Sequence, residues 1–139
     1  MRSLAISSRR RESAILVDTH IALWIRVAPE RLTLGERRAL DGALARYISA
    51  VTFWEIAILT ALGRIAPDER LFSVPDGFEL LTVLPDHCKA LITLPQRHRD
   101  PFDRMLIAQA RVEQLALLTR DRAIIDYGPE GAMLASADG

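Results

Sequence analysis

The stretch "AILVD", residues 14–18, limits the fold more than any other part of the chain. Its apolar residues run together without polar alternation and end on an acid. A helical pattern, "THIALWIRV", begins at once, with Ile21, Leu23, Trp24 and Val27 at helical spacing. A short strand that is apolar on both faces must be covered on both faces, as strands of parallel sheets are. Pro29 closes the first helix. "LTLGERRALDGALARY" follows, with Thr33 and Glu36 in the spacing of a capping box. "YIS" (47–49) reads as a second strand, and "AVTFWEIAILTALGR" as an apolar helix stopped near Gly63. The stretch 64–77 is turn-rich, with room for one short helix. "FELLTVL" (78–84) reads as a third strand, and Pro85 opens the helix "PDHCKALITL". Pro101 opens a longer helix, "LALLT" (115–119) reads as a fourth strand, a short helix ends at Gly128, and "AMLAS" offers a last strand. Strands alternating with helices predict an α/β fold with a central parallel sheet.

The chain has 139 residues and is 50% hydrophobic, enough for one compact domain with a real core. Residues 1–13 read as a flexible basic tail or a spurious upstream start, and 14–139 as the domain. No apolar run approaches the roughly 18 residues of a membrane span. The basic start lacks the apolar core of a secretory signal. With its single cysteine, Cys88, no internal disulfide can form, and a cytoplasmic location is expected. Net charge is zero, which excludes nucleic-acid binding driven by a global basic field. Lys89 is the one lysine, and the remaining basic residues are arginines, which can grip phosphates bidentately.

Four acids stand where local propensity does not call for them. Glu55 is the only charge between Ser49 and Gly63, and Val51, Thr52, Ile58 and Leu59 at helical spacing offer it no cation. A carboxylate on such a helix needs a partner from elsewhere. Asp18 and Asp121 each follow an apolar strand, at the carboxyl end where open α/β sheets bind ligands. Asp103 lies in the first turn of its helix, three residues after Asp100, a like charge. Singly, helix capping and the helix dipole account for the three aspartates, and a distant arginine would account for Glu55. Four acids facing one cleft must instead take up protons or hold a cation. Oxygen ligands without histidine or cysteine at ligand spacing suit Mg²⁺ or Mn²⁺. His20, His87 and His98 are not spaced as a metal set and read as surface or supporting polar groups. Ser49 and Thr52 are placed to orient an acid or a metal-bound water.

"LVDTHIALW", "ISAVTFWEIAI", "HRDPFDRMLIAQA" and "LLTRD", in this order, resemble the PIN-domain ribonucleases, and among them the VapC-type toxins of toxin–antitoxin pairs. The resemblance runs from about Ile15 to Tyr127; the loop-like stretch 64–77 departs from it. It implies a three-layer α/β/α PIN-like domain and an acidic quartet of Asp18, Glu55, Asp103 and Asp121 holding Mg²⁺ or Mn²⁺. It further implies endonucleolytic RNA cleavage, a homodimer, and a VapB-type antitoxin whose C-terminal segment wraps the toxin. Thr19, Thr52, Arg99, Asp100, Arg104, Thr119 and Arg120 are then the supporting or substrate-binding positions, with Arg97 and Arg122 near the same acids. Aromatic residues make up only 6% of the chain, so base stacking is not expected to dominate recognition.

Other readings of the four acids fit the sequence less well. A phosphoaspartyl phosphatase would need a second aspartate where His20 stands, and a receiver domain a lysine after a late strand. A PIN nuclease of RNA maturation and a silent PIN binding scaffold are the remaining alternatives.

Overall fold

A computed structural model describes residues 14–96, 100–127 and 135. The basic tail (1–13), Arg97, His98, Arg99, the stop at Gly128 and, apart from Ala135, the "AMLAS" strand lie outside the described residues.

Four strands, β1 (Ala14–Val17), β2 (Ala45–Ser49), β3 (Glu79–Leu81) and β4 (Ala116–Leu118), form one sheet in the order β3-β2-β1-β4. Every pairing is parallel, with Leu16 opposite both Tyr47 and Leu117. Six helices connect and cover it: α1 (Thr19–Val27), α2 (Leu34–Gly42), α3 (Ala50–Ala61), α4 (Pro85–Ala90), α5 (Pro101–Glu113) and α6 (Arg122–Ile125).

The strand period of two sorts the side chains into two layers. Ala14 and Leu16 point to the face where Tyr47, Leu81 and Leu117 meet Leu106, Ile107 and Ala110 of α5. Ile15 and Val17 point the other way, against Ile21 and Ala22 of α1 and Leu40 of α2. This is the three-layer α/β/α arrangement, and it explains why "AILV" is apolar throughout: the whole strand is buried.

Local chemistry sets most boundaries. Thr33 and Glu36 form the expected reciprocal capping box, with hydrogen bonds of 3.0 and 2.9 Å. After α3, Gly63 takes a φ of +72°, a left-handed turn that a side chain would strain. The stretch 64–77 holds a 3₁₀ turn, Glu69–Phe72, whose buried Leu71 packs with Leu23 and Ile56.

Two elements are shorter than the sequence predicts. β3 covers three residues rather than 78–84, because Leu84 gives its N–H to the His87 side chain (3.0 Å) instead of a neighbouring strand. α4 ends at Ala90 rather than near Leu94. The Arg104 guanidinium satisfies the carbonyls of Leu91 (3.3 Å), Leu94 (3.4 Å) and Pro95 (2.8 Å), oxygens that a continuing helix would otherwise engage. Beyond β4, Ala135 donates its N–H to the Leu117 carbonyl (3.0 Å). Among the described residues no helix is long and apolar enough to cross a membrane.

Candidate active site

The carboxyl ends of β1 and β4 are neighbours, since Val17 pairs with Leu118. The next residue on each strand therefore meets across the seam. Asp18, 3% exposed, caps α1 by accepting from the Ile21 N–H (2.9 Å) and receives the Thr119 hydroxyl on its other oxygen. The same Thr119 oxygen accepts the Asp121 N–H (3.0 Å), while Asp121 caps α6 through the Ala123 N–H (2.9 Å). One threonine thus orders both sheet-end acids.

Glu55 reaches this edge from α3. Its Oε1 receives the Thr19 hydroxyl at 2.6 Å, and Thr19 in turn lies 3.3 Å from the Thr52 hydroxyl. The α1 start therefore fixes two acids at once: Asp18 as its cap and Glu55 through its first residue. At the α5 start, Asp100 caps the helix by accepting from the Phe102 and Asp103 N–H groups (2.8 and 3.1 Å). Asp103 stands half-buried in the first turn behind it.

The electrostatics follow from this crowding. Burial pushes the Asp18 carboxyl above its ordinary range, against the lowering effect of the Thr119 and Ile21 hydrogen bonds, and the Asp121 charge adds to the rise. Burial also raises Glu55; the Thr19 hydrogen bond opposes it, and the charges of Asp100 and Asp18 reinforce it. Both acids lie under negative potential. A positive charge on His20, exposed two residues past Asp18, lowers both. A cavity of about 320 Å³ lies elsewhere, but a smaller one of about 200 Å³ opens here, lined by Asp18, His20, Trp24, Arg120 and Asp121.

The acids line one edge without converging on a point. Among the described residues no three Asp, Glu, His or Cys side chains make a ready-made metal cluster. Donor chemistry nevertheless fits a hard cation, because the charges of Asp121 on Asp18 and of Asp100 and Asp18 on Glu55 are repulsive, and the donors to Asp18, Glu55 and Asp121 are hydroxyls and backbone N–H groups. Mg²⁺ retains several waters and takes one or two carboxylates plus substrate phosphates, which matches acids set apart in this way.

The supporting positions divide. Thr19, Thr52, Thr119 and Asp100 all touch or order the acids. Arg104 is committed to the three carbonyls that end α4 and to the Tyr127 hydroxyl (3.1 Å). Arg120 holds Glu36 with two hydrogen bonds (2.8 and 2.7 Å) and stacks 4.1 Å over the Trp24 ring, tying α2 to α1. Arg99 falls outside the described residues. Ser49 does not orient an acid of the site: it caps α3 and donates to buried Gln109 (2.6 Å). His87 is not a surface group either. It is fully buried, with Nδ1 accepting from Leu84 and Nε2 at 2.8 Å from Glu113. His20, read from the sequence as a surface or supporting polar group, is exposed two residues beyond Asp18 and lines the cavity.

An α/β/α domain with a four-stranded parallel sheet and carboxylates gathered beyond its strand ends defines a class of acid-site proteins. The PIN domain family model matches residues 15–128, and the chain belongs to that family. It is 26% identical over 117 residues to Ribonuclease VapC22 of Mycobacterium tuberculosis, covering 81% of this chain and 90% of that one. Its fold is similar to a chain in the crystal structure of VapBC2 from Rickettsia felis bound to a promoter DNA fragment (TM-score 0.67, 13% identity, 90% and 99% of the two chains). It is also similar to a chain of a toxin–antitoxin complex from Klebsiella pneumoniae (TM-score 0.59, 19% identity, 84% and 93%).

Proposed function

We propose that this chain is a metal-dependent endoribonuclease, the toxin of a toxin–antitoxin pair acting in the cytoplasm, with residues 14–139 as its nuclease domain. The observation that carries the proposal is the pair of buried or half-buried acids, Asp18 and Glu55, held under like charge at the carboxyl end of a parallel sheet. The similarity to a VapC ribonuclease supports the RNA substrate. The similarity to toxin–antitoxin complexes supports a VapB-type antitoxin as partner, with a homodimer as the assembly.

In this reading Asp18, Glu55, Asp103 and Asp121 would hold Mg²⁺ or Mn²⁺, directly or through water, and the ion when bound would acidify a water and offset charge on the phosphoryl oxygens. The chain's own work is positional. Thr119 and the Ile21 N–H fix both Asp18 oxygens while leaving lone pairs open, since a carboxylate accepts at about four sites. Thr19 holds Glu55 in the same way. His20 offers a donor at the cavity mouth for a phosphate oxygen.

The test is cleavage of a panel of structured RNAs in Mg²⁺ or Mn²⁺ against EDTA, beside Asp18→Asn. Metal-dependent cutting that the variant loses is the expected result. Absence of cutting together with no metal uptake by calorimetry would overturn it in favour of a binding scaffold.

A further inference from the structure

Trp54 is 63% exposed, and its indole meets the Phe102 ring edge-to-face with centroids 5.1 Å apart and planes at 78°. The two rings bridge the middle of α3 and the first turn of α5. Each sits one residue before an acid of the site, Glu55 and Asp103. Asp100 also holds this junction: its carboxylate accepts the Phe102 N–H, and its charge bears on Glu55. A large aromatic surface is thus open to solvent at the rim of the acidic edge, braced by a second ring.

We propose that Trp54, buttressed by Phe102, is the platform on which a base flanking the scissile phosphodiester stacks. The inference rests on the ribonuclease reading and deepens it. The charge distribution leaves room for such a platform. The chain is net neutral, and of the three described arginines adjacent in sequence to an acid of the site, Arg104 and Arg120 are engaged within the protein while Arg122 is exposed beside Asp121. Base–aromatic stacking needs no charge and tolerates any base, so it adds to the phosphate contacts that remain. A strand that brings a phosphodiester to Glu55 carries its neighbouring base to the ring beside it. Aromatic content alone gave no hint of this, because the count of rings does not say which one is exposed beside the acids.

The test uses the full chain, with Trp54→Phe and Trp54→Ala, on an RNA that the wild type cuts. A matched RNA lacks the base next to the cleaved bond. Stacking is worth about 1–3 kcal/mol per base, so Trp54→Ala should raise KM by roughly 5- to 150-fold, with kcat less affected and Trp54→Phe near wild type. Removing the base should cost the wild type a similar factor and Trp54→Ala little more, the non-additivity expected of two groups in contact. An unchanged KM, or equal base-removal penalties in both proteins, would overturn the platform. Conversion of a dimer to a monomer by Trp54→Ala in sedimentation would overturn it in favour of a self-association surface. If the wild type cuts no RNA, the nuclease reading fails separately. Polarisation of labelled single-stranded RNA in Ca²⁺ then decides the platform by the same comparison of variants.

Discussion

Thr119 donates its hydroxyl to Asp18 across the β1–β4 seam, from a position 101 residues away in the chain. Its oxygen simultaneously accepts the Asp121 N–H. This single side chain sets the spacing of two acids that no local motif could relate.

Replacing Thr119 by valine keeps the volume and removes the hydroxyl. Asp18 and the Asp121 N–H both lose their partner. Activity should fall by about 10- to 100-fold, as when groups that orient metal ligands are removed. Thr119→Ser should restore most of it. Metal-dependent cleavage rates of the three proteins check this; equal rates for valine and wild type would remove Thr119 from the machinery.

Asp18→Asn should abolish cleavage and yet stabilise the metal-free protein at neutral pH. The Asp18 carboxyl is raised by burial, so the folded state binds the proton more tightly than the unfolded state. Its contribution to stability is therefore greatest at low pH. It falls as pH rises from the unfolded value, about 3.9, through the folded one. The neutral amide escapes this loss. Urea melts in EDTA at pH 7.5 and pH 4 should show the variant's advantage at the higher pH and its shrinkage at the lower.

Glu36→Gln should act on the scaffold with the opposite pH dependence. Burial alone would raise Glu36, but the Arg120 hydrogen bonds and the Thr33 N–H hold it below its ordinary range. Its stabilisation is present above the unfolded value, about 4.3, and is lost as pH falls through the lower, folded one. With Arg120 partly exposed, the loss at neutral pH should be about 1 kcal/mol. The difference between variant and wild-type melts should fade in acid.

His87 and Glu113 join α4 to α5 with both side chains out of solvent. His87→Leu removes the imidazole from its buried contact with Glu113 and should cost about 1–3 kcal/mol. Adding Glu113→Leu should recover part of that loss, because the carboxylate that loses the imidazole goes with it. Chemical denaturation of the single and double variants measures the recovery; a double variant worse than either single would show that the pair itself carries the stability.

The outline of the fold was legible in the chain. Unbroken apolar strands, the Thr33–Glu36 box, Pro85, Pro101 and Gly63 act over a few residues, and short-range chemistry is written in short-range order. Glu55 also stood out in the chain, since it is out of place on its own helix whatever it meets. Other features were decided only by the fold. Arg104 and Arg120 read as supporting or substrate-binding positions from their nearness in sequence, and packing gave them the carbonyls beyond α4 and the Glu36 carboxylate. His87 read as a surface or supporting polar group, and the fold makes it the latter, fully buried with Gln109 and Glu113 brought to it from α5. Which acid faces which hydroxyl, and which tryptophan stays in solvent beside the site, depend on contacts between residues 36 to 101 positions apart. Local pattern determines elements and the residue types available to chemistry. Burial and partner choice are properties of the packed chain, because each is set by whichever distant group the sheet and helices bring within a few ångströms.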